Sequence, residues 1–492
     1  MTHFLSRRHL LQTTSCGFGY LALADMASRA ARADSGANTP RLAAPGAAAA
    51  LSSESDYENP LQPKPTHFAP RAKRVIFLFM QGGPATQDLF DYKPMLQRDG
   101  GKSVTLTART QNDKNTGKLL ASPFKFKKCG QSGLEISELF PHLSRHADDL
   151  CLINSMFTTS PAHPQATIEM HTGTSLFVRP SVGAWMLYGL GTVNQNLPGF
   201  ITINAPDRLG GAQNFGSAFL PASYQGTRIA PGSIASAKGK AAPGGDGLGS
   251  IIRPRVETAA QRKQLDLLQE MNRELLDRSV VNPELEGVIE SYELAFRMQS
   301  AVPDVLDLSK ETEATKQMYG IAGGATSNFG TQCLMARRLA EAGVRYIELH
   351  YGGWDQHNGL KEKLTANCMG IDQPIAALLT DLKQRGMLED TLVVWGGEFG
   401  RTSQGQGDNG RNHNAAGFTM WMAGAGVKGG TRYGATDDYG SFAAVNKVHT
   451  HDLHATLLHI MGLDHEKLTY RYGGRDFRLT DVYGHVVKDI LA

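Results

Sequence analysis

The stretch RVIFLFM, Arg74 to Met80, governs how the rest of the chain is read. It is apolar from Val75 onward with no polar alternation, which suits a strand covered on both faces, as in parallel sheets. QGGPATQDLFD follows at once, so the apolar run gives way to glycines and acids where the strand should end.

Similar runs recur: LCLINSM from Leu150, GFITIN from Gly199, RYIELHY from Arg345, TLVVWGG from Thr391 and TMWMAG from Thr419. Helical patterns precede three of them: ISELFPHLSRHADD before Leu150, NFGTQCLMARRLAEAG before Arg345, and MGIDQPIAALLTDLKQRGML before Thr391. This alternation predicts right-handed crossovers and a three-layer α/β fold, a mostly parallel sheet with helices on both faces. Two segments interrupt the rhythm. Residues 207–252 are rich in Gly, Ala and Pro and read as a surface insertion. Residues 257–300 read as a helical insertion, with Leu265, Leu268, Met271, Leu275 and Leu276 forming one apolar stripe.

A net charge of +3 over 492 residues argues against nucleic acid as a partner. Near the N-terminus, SRRHLLQ (Ser6 to Gln12) places paired arginines before the mildly apolar CGFGYLALADMA, and Ala31 and Ala33 then stand as in an A-x-A cleavage site. Residues 1–33 therefore read as a twin-arginine export signal, which implies a periplasmic or secreted protein. The apolar part is shorter than the ~20 residues of a spanning helix, and no other segment qualifies, so no integral membrane span is expected. Residues 34–70, mostly Ala, Pro, Ser and Gly, read as a flexible linker before a domain covering 71–492. Cys129, Cys151, Cys333 and Cys368 lack C-x-x-C spacing, and three of the four sit in apolar or helical contexts; they read as buried thiols, with an unassigned disulfide as the alternative.

In open α/β sheets, ligands bind beyond the carboxyl ends of the strands. The residues that follow the apolar runs are Asp88 and Asp91; Ser160, His163 and His171; Asp355 and His357; and Glu398 and Arg401. Arg411 and His413 stand just before the run at Thr419. Each has an ordinary structural reading alone, but together they bring carboxylates and imidazoles to one sheet edge. Such a set without thiolates suits a divalent ion such as zinc, manganese or calcium. Glycines at 352, 353, 396 and 397 would let backbone approach an anion, and Arg401 and Arg411 would grip it. A metal beside an arginine makes ester hydrolysis a natural chemistry.

The motifs FLFMQGGPATQDLFDYKP, EMHTG, GGWDQHN, GGEFGRT with GRNH, and the ending from DLHATLLHIMGLDHEK to VKDIL resemble the bacterial family known as domain of unknown function 1501, from about Arg74 to the C-terminus. That family is placed in the alkaline phosphatase-like superfamily, which includes sulfatases. The resemblance implies an exported, metal-dependent hydrolase of small-molecule or glycan sulfate or phosphate esters. Asp355, His357, Glu398 and His413 would be ligands, Asp88 and His163 would complete a second position or serve as acid and base, and Arg401 would hold the anion. Departures are visible: Gly82 and Gly83 stand where the first strand would supply an Asp, His163 falls at the nucleophile position, and Phe399 follows Glu398 where a histidine would be. The alternative is a non-catalytic binding or assembly module of the cell envelope. In HTHDLHATLLHIMGL, histidines 449, 451, 454 and 459 invite a metal reading, but the segment also looks like a capped, buried helix starting near Asp452. Oligomeric state stays open.

Overall fold

The computed structural model describes residues 59–104, 115–229, 258–277, 283–407 and 409–492. The export signal read at 1–33 lies outside the described residues. Residues 59–70, read above as the end of a linker, run along the domain instead: Leu61 is buried and Lys64 N donates to Leu190 O at 3.0 Å.

Each apolar run of the sequence is a strand. The strands of the central sheet and of the hairpin beside it are β1 (Arg74–Met80), β2 (Leu150–Phe157), β3 (Phe200–Ile203), β4 (Thr227–Ile229), β5 (Tyr346–Tyr351), β6 (Thr391–Gly396), β7 (Gly400–Gln406), β8 (Gly410–Asn414), β9 (Phe418–Ala423), β10 (Thr431–Tyr433) and β11 (Val448–His449). All but β7 and β8 join one nine-stranded sheet in the order β10-β2-β9-β6-β1-β5-β3-β4, with β11 also on β2. Within it β1 runs parallel to both β5 and β6, and β9 alone is antiparallel to its neighbours β2 and β6. The reversal matters for the site, because the start of β9, not its end, lies at the carboxyl edge of the others. The fold is thus the expected α/β type, a mostly parallel central sheet with helices.

Among the described residues, the α-helices of ten residues or more are α1 (His163–Thr172), α2 (Thr258–Asp277), α3 (Pro283–Leu306), α4 (Ser327–Glu341), α5 (Leu360–Gln384) and α6 (Thr450–Ile460). The two long patterns before β5 and β6 are α4 and α5. The pattern before β2 is not an α-helix: Leu134–Ser137 is a hairpin strand and Leu143–Asp149 a 3-10 turn. Pro141 lies between them and cannot donate the backbone hydrogen bond an α-helix would need there.

The Gly-rich segment from 207 is not wholly a surface insertion, since Thr227–Ile229 supplies the edge strand beside β3. Helices α2 and α3 form the expected hairpin, joined by Arg262, which donates through two nitrogens to Glu293 at 2.9 Å each. Its stripe differs from the sequence reading. Leu265 is buried, but Met271 is 44% exposed, and Gln269 is buried instead, donating to Ile289 O at 2.8 Å. Cys151, Cys333 and Cys368 are buried free thiols and Cys129 is half-buried. No described helix is long and apolar enough to cross a membrane.

Candidate metal centre

Four elements meet at the carboxyl edge. His163 opens α1, Asp355 lies in the loop after β5, Glu398 follows β6, and His413 sits on β8 directly opposite Arg401 of β7. The Gly-rich stretch after β6 is therefore not a loop but an antiparallel hairpin that returns the chain to β9.

Asp355 Oδ1 is the hub. Around it stand His357 Nε2 at 2.8 Å, His163 Nε2 at 3.1 Å and His413 Nε2 at 3.2 Å, while Arg401 Nη2 donates to it at 2.7 Å. Burial alone would raise the Asp355 carboxyl, but His163, His413 and Arg401 outweigh it and hold the group far below the usual carboxylate range. The Asp355 side chain is still 46% exposed, so the hub opens to solvent.

The outer nitrogens of the three imidazoles all meet oxygens. His163 Nδ1 pairs with Glu398 Oε1 at 2.6 Å, His413 Nδ1 with Pro161 O at 2.7 Å, and His357 Nδ1 with Gln406 Oε1. A carbonyl only accepts, so His413 Nδ1 donates to Pro161 O, and its Nε2 lies within hydrogen-bond reach of Asp355 Oδ1 at 3.2 Å. Burial, reinforced by Arg401 and His163 and opposed by Asp355, pushes the His413 pKa down. His163 differs: burial opposes its charged form, yet Asp355 and Glu398 hold its pKa up to about 9. Its Nε2 is buried and close to Asp355 but has no aligned hydrogen-bond partner. An ion at this position would displace the proton of His163 Nε2.

One donor atom from each of His163, Asp355 and His413 lies within 4.8 Å of the others. A tetrahedral ion bonded at about 2.0–2.1 Å places neighbouring donors roughly 3.3 Å apart, so the 3.1 and 3.2 Å separations fit. Three protein ligands leave one position open, as in catalytic zinc sites. His357 stands outside this trio although it touches Asp355.

Several expected roles change. Glu398 is fully buried; its carboxylate accepts from Gly82 N at 2.9 and 3.1 Å and orients His163 rather than joining the trio. Arg401 has no exposed surface and donates to Gly83 O at 2.8 Å, to Gly82 O, to Arg411 O at 3.3 Å and to Asp355. It braces the site from beneath and is not a fork for an anion. Asp88 is not a ligand: its carboxylate takes Arg411 Nε at 2.7 Å and Nη2 at 3.0 Å, with both side chains fully buried. The remaining Arg411 hydrogens go to the carbonyls of Thr402, Ser403 and Leu120, so Arg411 has no donor free for substrate. Asp91 binds Thr436 Oγ1 at 2.5 Å and Lys93 at 3.1 Å.

The departures noted in the sequence have local causes. A Cβ on Gly82, whose φ is +113°, would lie 2.6 Å from Asp355 N, so the first strand ends in glycine because the Asp355 loop passes against it. That glycine accommodates the chain's own backbone, not an anion. Phe399 lies 4.7 Å from the His163 ring and 4.8 Å from His413, an apolar wall on the two imidazoles. At the C-terminal segment, His449 caps α6, its Nδ1 accepting from His451 N at 3.2 Å while Asp452 Oδ2 accepts from His449 N at 2.8 Å. His454 is buried, donates to Met170 O at 2.7 Å and is pushed down to about 3 by burial.

Residues 72–491 match the family described as Protein of unknown function (DUF1501). The chain belongs to this family. No curated protein matches the sequence. Among solved structures, this DUF1501 chain is similar to the lipoteichoic acid synthase LtaP from Listeria monocytogenes, at 8% identity and a TM-score of 0.36 over 85% of this chain and 78% of that one. It is also similar to alkaline phosphatase from the Antarctic bacterium TAB5, at 10% identity and a TM-score of 0.32 over 80% and 99% of the two chains. For PsFucS1 sulfatase from Pseudoalteromonas sp. the values are 11% and 0.31 over 80% and 68%.

Glu348 and His350 belong to a second cluster, with His171, that the sequence reading did not single out. The available signal was their spacing, two ionisable residues on one face of an otherwise apolar strand.

Proposed function

We propose that this DUF1501 protein is an exported, metal-dependent hydrolase of sulfate or phosphate esters, with His163, Asp355 and His413 holding a zinc-type ion. The single observation carrying this reading is the convergence of His163 Nε2 and His413 Nε2 on Asp355 Oδ1, at 3.1 and 3.2 Å. The ion, when bound, supplies Lewis acidity toward an ester oxygen. The chain's own residues do the rest. Glu398 and Pro161 O orient the two imidazoles. Arg401 fixes the Asp355 carboxylate from below. His357, 31% exposed, stands beside Asp355 on the open side. With a divalent ion, the charges of Asp355, Glu398 and Arg401 leave the site net positive, which favours an anionic ester. The paired Arg7 and Arg8 support export to the periplasm or beyond, and a small-molecule or glycan ester is the expected substrate.

The test is elemental analysis of the purified protein, then turnover of aryl sulfates and aryl phosphates with zinc, manganese and calcium. Asp355→Ala should lose both the ion and turnover. A folded wild type that binds no divalent ion overturns the proposal.

One observation favours a second reading, a non-catalytic binding or assembly module of the envelope. The family resemblance puts His163 where a covalent nucleophile would stand, and nearby Ser160 Oγ accepts from Ala162 N at 3.2 Å, closing its own turn. Ion binding without turnover of any ester, together with retention of a glycan, would select this reading.

A further inference from the structure

Beneath the open centre, the same two elements meet again. α1 carries His163 at its start and His171 two turns later; β5 carries Glu348 and His350 and leads into the Asp355 loop. The side chains of His171, Glu348 and His350 are all at least 97% buried.

Residues two apart on a strand share a face, so Glu348 and His350 both lie on the side of β5 that meets α1. Their partners in register on β1, Phe77 and Phe79, lie on that side too, and the Phe79 ring stands 4.7 Å from His171 and 5.4 Å from His350. The two imidazoles are nearly parallel, 11° apart, with centroids separated by 5.9 Å. Glu348 Oε1 lies between them, 2.5 Å from His171 Nε2 and 2.8 Å from His350 Nε2.

His171 Nδ1 donates to Thr167 O at 2.6 Å, the outward bond that aims Nε2 inward at a ligand position. His350 supplies the independent observation: it is buried, its Nδ1 has no hydrogen-bond partner, and its Nε2 approaches Glu348 Oε1 at 2.8 Å without an aligned hydrogen bond. Thr202, which faces Glu348 in register from β3, likewise has a buried hydroxyl without a partner. Two imidazoles, one carboxylate and an unpartnered hydroxyl thus converge in the apolar core; their nitrogens lie 2.5 and 2.8 Å from the shared oxygen, closer than the roughly 3.3 Å of a loaded tetrahedral site, so the side chains would part on taking an ion.

We propose that His171, Glu348 and His350 form a second, buried site for a zinc-type divalent ion that ties α1 to β5. Two imidazole nitrogens with one carboxylate favour such an ion over calcium or magnesium, which take oxygen ligands. Its role is structural: it fixes the spacing of the two elements that carry His163 and Asp355. The site does not rest on the function proposed for the surface centre. The competing occupants are a proton shared between His171 and Glu348, or ordered water, and both predict no second ion.

The experiment is zinc titration of the full chain after chelation, with elemental analysis. Wild type should take two ions, and His350→Leu and Asp355→Ala one each. The Asp355→Ala protein keeps all three buried ligands, so zinc should still raise its Tm, and that shift should vanish in Asp355→Ala/His350→Gln. A wild type with one ion that Asp355→Ala removes overturns the buried site, as does an Asp355→Ala protein whose Tm zinc does not move. One ion lost on His350→Leu but kept on Asp355→Ala upholds the buried site and sinks the surface reading alone.

Discussion

Arg401 and His413 face each other across the β7-β8 hairpin, and both reach the same oxygen, Asp355 Oδ1, at 2.7 and 3.2 Å. One is a fixed cation that the oxygen needs at all times. The other is an imidazole whose pKa burial pushes down. The pairing explains why Asp355 stays ionised without a metal.

In the proposed centre Glu398 acts on the ion through His163. Glu398→Gln should keep the shape, remove the charge behind the imidazole, and weaken zinc binding by about 10- to 100-fold. Competition against a chelator measures it. An unchanged affinity would show that Glu398 only anchors Gly82.

Asp88 and Arg411 form a buried pair with no access to substrate. Asp88→Ala strands a guanidinium in the core and should cost about 3–5 kcal/mol in chemical denaturation, with zinc stoichiometry unchanged in the folded fraction. Loss of an ion from a fully folded Asp88→Ala protein would restore Asp88 as a ligand.

Gly82→Ala puts a methyl group against the Asp355 backbone at a left-handed φ. The backbone strain should cost about 1–3 kcal/mol and displace the Asp355 loop, lowering zinc affinity as well. Equal stability and affinity in wild type and variant would refute the close approach.

The metal-free protein should lose stability as pH rises. His163 has an ordinary pKa of 6.5 and a folded-state value of about 9, so its contribution is complete below 6.5 and fades as pH passes through 9. Zinc affinity should climb over the same window, because the proton on Nε2 departs. Tm measured from pH 6 to 10 in chelator should fall for wild type and stay flatter for His163→Gln.

Burial alone was enough to make the sheet legible. Strands such as Arg74–Met80 and Thr391–Gly396 are covered on both faces, so they are written as unbroken apolar runs, and the edge where they stop marks where His163, Asp355 and His413 gather. Turn chemistry misled at ISELFPHLSRHADD, where apolar spacing suggested a helix that Pro141 interrupts.

What only the tertiary structure decided was which polar groups meet. Asp88 and Arg411 are 323 residues apart, and His171 and Glu348 177 apart, and no local pattern records such pairs. The sequence by itself determined that carboxylates and imidazoles arrive at one sheet edge. Folding then divided them: Arg401 and Glu398 were drawn under the surface because buried charges must be matched by hydrogen-bond partners there, while Asp355 kept a face to solvent.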